Sequence, residues 1–180
     1  RPVPAAHDEM VSRRLACLLG GAVGDGFGYV VEFDSLANIR KMHGNAGLRD
    51  PYFHQGELIV SDDTQMSLFT LEGLTRAMLS GDPNDQTLVE QVRLAYLDWL
   101  TTQDPRAQDS HLPSRLLKHA VLHAQRAPGK TCISALNQGA TGTPERPINN
   151  SKGCGGIMRA GVVGLMPNMT PARAFRIGTR

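Results

Sequence analysis

The chain has 180 residues, 41% hydrophobic and 20% charged. That composition belongs to a folded domain large enough to bury a core without disulfide or metal staples, and it excludes a disordered chain. A net charge of +2 is too small to point to nucleic acid or a membrane surface as a partner.

The three cysteines, Cys17, Cys132 and Cys154, are an odd count without CxxC spacing, so neither a disulfide framework nor a zinc site is indicated. Free thiols suit a reducing compartment, and the expected location is cytoplasmic. The longest apolar stretch, Leu15 to Val31, is interrupted by glycines and by Asp25, which argues against a membrane span. No signal-peptide pattern is visible in a sequence that opens on Arg1.

Along the chain, residues 1–10 read as a flexible N-terminal segment and residues 11–180 as part of a single domain. Asp8 is the expected N-cap of a first helix whose Val11, Leu15, Leu18, Leu19 and Ala22 share one face. The glycines at 24, 26 and 28 are expected to end it. A loop-rich crossing follows to Gly56, with a short helical turn over Leu36 to Met42. Leu58 to Val60 is too short to read as a strand. Met66, Phe69, Leu74 and Ala77 line a helix that starts near Asp63 and stops at Gly81-Asp82-Pro83. The next helix covers Asp85 to Thr101 and buries Leu88, Val92, Ala95, Tyr96 and Trp99. After the polar loop Asp104 to His111, a third long helix is expected beyond Pro113, carrying Leu116, Leu117, Ala120, Val121 and Ala124. Thr131 to Asn137, Gly156 to Leu165 and Pro171 to Ile177 complete the helices, with a Gly-, Thr-, Pro- and Asn-rich loop over 139–151. The fold class is therefore all-α, with long connections of the kind that carry function.

Three motifs could carry chemistry. Ser61-Asp62-Asp63-Thr64 opens a helix, and its hydroxyls and carboxylates are hard oxygen donors for Mg²⁺, Mn²⁺ or Ca²⁺. Capping explains the same residues, and taken alone it is the simpler account. Gly24-Asp25-Gly26-Phe27-Gly28 with Glu32 contains a GxGxxG-like run. A helix rather than a strand leads into it, which rules out a dinucleotide fingerprint. The run could instead deliver Asp25 and Glu32 to a cleft, or its glycines could simply pack helices. Asn149-Asn150-Ser151-Lys152-Gly153-Cys154-Gly155-Gly156-Ile157-Met158-Arg159 is a glycine-rich turn entering a helix, where free N–H groups suit phosphate. It lacks Walker A spacing, and a plain loop is an equally good account. His119 and His123, at i and i+4, read as a solvated pair on the third long helix. Cys154 has no histidine partner in sequence that would make it a nucleophile.

Taken in order, GDxxGxxxE, SDDT and SxGxGxxMR resemble the ADP-ribosylglycohydrolase family, the DraG-like ADP-ribosyl-acceptor hydrolases. The resemblance covers residues from about 12 to 167. It implies an all-α multi-helix bundle with a binuclear Mg²⁺ or Mn²⁺ site. Ser61, Asp62 and Asp63 would then be metal ligands and Glu32 the catalytic carboxylate, with Asp25 as a buttress. Ser151, Lys152, Gly153, Cys154, Gly155 and Gly156 would cradle the ADP-ribose phosphates and nearby ribose; at Cys154 many members have Asn. The implied activity is removal of ADP-ribose from modified protein side chains, arginine foremost. The alternative is an ADP-ribose- or partner-binding module without turnover, such as an immunity protein that blocks an ADP-ribosyltransferase toxin. The family also carries a DxD(S/T) motif near its C-terminus that completes the metal site. Here the last Asp is Asp109, the last acid is Glu145, and residues 146–180 hold six basic residues and no carboxylate. The expectation is an N-terminal portion of the domain, its remaining ligands supplied by a C-terminal fragment or another chain.

Overall fold

The structure is a computed structural model that describes residues 5–180. Residues 1–4 of the expected lead-in lie outside the described residues, and Ala5 is already helical. The chain divides into two compact units, one ending at Ser61 and one running from Asp62 to Arg180. Among the described residues no helix is long and apolar enough to cross a membrane.

In the first unit, α1 (Ala5–Tyr29) and α2 (Leu36–His43) precede an antiparallel hairpin of β1 (Phe53–His54) and β2 (Glu57–Leu58). α1 does not stop at its glycines, and Asp8 lies inside it rather than capping it. Gly26 shows why. It is buried, and a Cβ there would stand 2.7 Å from Leu58 Cγ and 3.0 Å from the Ile59 carbonyl oxygen. The missing side chain lets the helix run against the hairpin, which offsets the poor helix propensity of glycine. Val11, Leu15 and Leu19 are exposed along the same helix. Ser35 caps α2 by accepting the Asn38 N–H at 3.2 Å.

The second unit is built on α3 (Asp62–Leu79) and α4 (Asp85–Gln103), with α5 (Lys130–Asn137), α6 (Ile157–Ala160) and α7 (Pro171–Gly178) around them. The apolar stripe read from the sequence of α3 is its core face: Met66, Phe69, Leu74 and Ala77 are all buried. Met66 and Phe69 meet Ala95, Trp99 and Leu100 of α4, with Leu122, Cys132 and Leu136 closing the cluster. Asn84 caps α4 through the Thr87 N–H at 2.9 Å. Thr170 caps α7, whose Pro171 sits where a missing N–H costs nothing. The all-α reading holds: beyond the hairpin and a bridge between Thr143 and Arg146, the regular structure described is helical.

Two expected helices differ. The segment after Pro113 forms 3₁₀ turns at Leu116–Lys118 and Ala120–His123 instead of a long helix. Side chains cap its start. The Glu72 carboxylate accepts the N–H of Arg115 at 2.6 Å and of Leu116 at 3.4 Å, and Ser114 Oγ accepts the Leu117 N–H. These first-turn donors have no i→i−4 partner in any helix, and the chain leaves the helical region at His119, whose φ of −96° and ψ of 105° are extended. His119 and His123 therefore do not share a helix face, and the His123 ring bonds the Leu117 carbonyl. Likewise the span Gly156 to Leu165 is the four-residue α6 flanked by 3₁₀ turns at Cys154–Gly156 and Gly161–Leu165.

Polar side chains inside this core converge on Gln65. Gln65 Oε1 accepts the Trp99 indole N–H at 3.1 Å and a Gln103 amide N–H at 3.3 Å, while Gln65 Nε2 donates to the Ala124 carbonyl. A Gln65→Leu substitution keeps the volume but leaves the Trp99 indole N–H without its acceptor, at about 1–3 kcal/mol, while Gln103 Nε2 keeps Thr102 Oγ1 at 2.8 Å. Urea denaturation is expected to show that loss; a variant as stable as the parent would contradict the network. A second prediction concerns α7, whose Arg173 and Arg176 clamp Asp85 of α4 at 2.8 Å and 2.8 Å. These two side chains, Arg173 first, hold the Asp85 carboxyl below its ordinary range. A depressed carboxyl stabilises the fold above its unfolded pKa, and that contribution fades as pH falls through the lower folded value. The stability gap between the parent and Asp85→Asn is expected at neutral pH and to close below about pH 4. A gap that persists unchanged into acid would refute the clamp.

Candidate functional site

The site in the second unit is organised around the N-terminus of α5. Asp62, buried at the first position of α3, is fixed from two directions. Its N–H donates to the Arg126 carbonyl at 2.9 Å, and its Oδ2 accepts the N–H of Gly129, the N-cap of α5, at 3.0 Å. A carboxylate there also faces the positive end of the α5 dipole. Asp63 follows, half-buried. The glycine-rich turn reaches the same helix terminus: Ser151 Oγ and Thr131 Oγ1 share a hydrogen bond of 2.5 Å. Within the turn, Ser151 N–H donates to Asn149 Oδ1 and Gly153 N–H to Ser151 Oγ. The structure thus brings Asp62 and the turn together through Gly129 and Thr131 at the N-terminus of α5.

The turn is seated on Cys132. Gly155 is buried, and a Cβ on it would stand 2.5 Å from Cys132 Sγ. Arg159, at the far end of the motif, donates from Nη1 to the Gly155 carbonyl and contacts Cys132 Sγ at 3.1 Å. Its guanidinium also lies over the Tyr96 ring, 4.8 Å from the centroid. Burial pushes the Cys132 thiol up from its ordinary value; Arg159 opposes that shift and Asp62 adds to it. Burial likewise raises the Tyr96 phenol, against the pull of Arg159 and of the Thr70 hydroxyl. A cleft of about 710 Å³ opens beside these groups, with Arg93, Tyr96, Thr131, Ser151, Gly153 and Arg159 among its walls.

Not every expected residue joins this arrangement. Gly156 lines the cleft, whereas Lys152 and Cys154 are exposed on the turn. Glu32 and Ser61 belong to the first unit. Glu32 is exposed in the turn after α1, and its N–H reaches the Tyr29 carbonyl at 3.4 Å. Ser61 is buried, and its N–H donates to Asp25 Oδ2 at 2.9 Å, so Asp25 fastens the segment that ends in the SDDT motif. Among the described residues no three His, Cys, Asp or Glu side chains form a group able to hold a metal. Sequence reasoning passed over Gly129 and Thr131 and gave Arg159 no role. The available signals were a glycine two residues before a predicted helix and an arginine closing the glycine motif.

A family model described as ADP-ribosylglycohydrolase matches residues 6–180. The chain belongs to the ADP-ribosylglycohydrolase family. No curated protein and no solved structure gave a match. All three motifs lie within the matched residues, and the mostly helical structure is that of an all-α family.

The seat of the turn gives a direct test. Gly155→Ala should overpack against Cys132 and cost about 1–3 kcal/mol. In the Cys132→Ala background the sulfur is gone and most of that cost should disappear. A double-mutant cycle by chemical denaturation measures the coupling; additive effects would show that the two residues do not meet.

Proposed function

We propose that this chain supplies the (Ser)-Asp-Asp and glycine-turn elements of a metal-assisted hydrolase that removes ADP-ribose from modified protein side chains, arginine foremost. The observation that carries the reading is the meeting of Asp62 and the Ser151–Gly156 turn at the N-terminus of α5, in a chain matched by the family model over residues 6–180.

The donor chemistry suits the expected metals. Ser61, Asp62 and Asp63 offer only oxygen, the choice of Mg²⁺ and Mn²⁺. These three residues would hold the metal ions, and bound ions would supply Lewis acidity toward ribose oxygens and water. The turn would receive the pyrophosphate through backbone N–H groups, with Ser151 oriented by Thr131 and Asn149. The family resemblance implies that Glu32 assists catalysis, as a carboxylate acting on water or leaving group. Hydrolysis adds water across the bond from the ribose anomeric carbon to the guanidine nitrogen. The hydroxyl goes to carbon, the proton to the departing arginine, and the reaction passes through oxocarbenium character.

The test is release of ADP-ribose from an arginine-ADP-ribosylated protein in Mg²⁺ or Mn²⁺. Asp62 bonds α5, so the variant is Asp63→Asn, with its thermal midpoint measured beside the rate. It is expected to lower the rate by about 100-fold or more. Equal rates in parent and variant would overturn the assignment. Binding of ADP-ribose with no release from the modified protein would replace it with the binding-module reading.

A further inference from the structure

We propose that Arg159 is a positioning residue that holds the glycine-rich turn in its ligand-ready shape; this rests on the reading of that turn as the ADP-ribose-binding element. The turn has little to hold it. Most of Ser151–Gly156 is exposed, three of its six residues are glycine, and within it the N–H groups of Ser151 and Gly153 bond side chains of the same loop. Glycines raise the entropy lost on ordering such a segment. Arg159 opposes that loss from one guanidinium. Its Nη1 donates to the Gly155 carbonyl, touches Cys132 Sγ of α5 at 3.1 Å and Met66 Sδ of α3 at 3.9 Å. Its cationic carbon sits on the Tyr96 face of α4. Tyr96 is itself fixed by a 2.5 Å bond between its hydroxyl and Thr70.

This combination needs a planar guanidinium. A charge-assisted bond to a carbonyl and a stack on an aromatic face use two different surfaces of one rigid group. A lysine ammonium is a point donor that can serve one of them. Anion sites built from backbone N–H groups gain from being arranged before the ligand arrives. Arg159 provides that arrangement by tying Gly155 down onto Cys132.

The experiment uses the full 180-residue chain, with Arg159→Lys and Arg159→Met beside the parent. Three quantities are measured: the thermal midpoint, the rate at which N-ethylmaleimide modifies Cys132 by peptide mapping, and ADP-ribose affinity by calorimetry. Cys17, exposed and outside the turn, serves as the internal reference. In both variants Cys132 should become about tenfold more reactive while Cys17 does not change, and ADP-ribose affinity should fall about tenfold. Arg159→Lys with the parent's thermal midpoint and these losses separates positioning from simple packing; it also decides the matter if Arg159→Met does not fold. A lysine variant that protects Cys132 and binds ADP-ribose like the parent overturns the proposal. So does raised Cys132 reactivity with unchanged affinity. If the parent itself binds no ADP-ribose while Cys132 is unmasked in both variants, the hold on the turn stands and the functional reading falls.

Discussion

The hydrogen bond from the Gly129 N–H to the Asp62 carboxylate is the constraint on which the site depends. It joins the first residue of α3 to the cap of α5, residues far apart in sequence. Glycine has no side chain with which to cap its own helix, so a carboxylate from elsewhere satisfies one of the free N–H groups at that terminus. The Asp62 N–H, an orphan donor of α3 in its turn, is spent on the Arg126 carbonyl. Two helix starts are thereby completed by each other's neighbourhood, and the glycine turn enters at the same place through Thr131 and Ser151. Displacing Asp62 would disturb both helix starts, which is why the position cannot be read as chemistry alone.

How much of this was legible in the sequence follows from the range of the forces involved. α3 and α4 were readable because their burial is periodic and local: Met66, Phe69, Leu74 and Ala77 mark a face whatever covers it. Caps at Asn84 and Thr170 are local too. The segment 116–124 has the same apolar spacing but breaks into two 3₁₀ turns at His119, which is extended, and no local pattern encodes that. α1 is the converse case. Its glycines suggest an end, and the helix continues because Gly26 lies against β2, a contact visible only in three dimensions.

The site divides along the same line. Asp62, Asp63 and the turn at Ser151–Gly156 are contiguous motifs, so their residue types were apparent. The residues that bring them together are single positions in other elements: Gly129, Thr131, Cys132 and Tyr96. Tyr96 was read as core, which it partly is, but its ring also carries the Arg159 guanidinium. Cys132 is buried in the apolar cluster and is also the surface on which Gly155 rests. A side chain that serves the core on one side and a loop on the other has no separate signature in sequence.

The charges at this junction bear on the functional reading. Asp62 and Asp63 precede the α5 terminus that the turn also approaches, and a pyrophosphate received by the turn would add negative charge to the same neighbourhood. Two like charges at about 4 Å repel by roughly 4 kcal/mol at an effective dielectric of 20. Helix dipoles offset part of this, typically about 0.3–1 kcal/mol each at a surface. Arg159 is committed to Gly155, Cys132 and Tyr96. Lys152 on the turn and Arg93 and Arg180 in the cleft wall add positive charge to that of the helix dipoles. On the ADP-ribose reading, a divalent cation held by the oxygen donors of the SDDT motif would satisfy carboxylate and phosphate together.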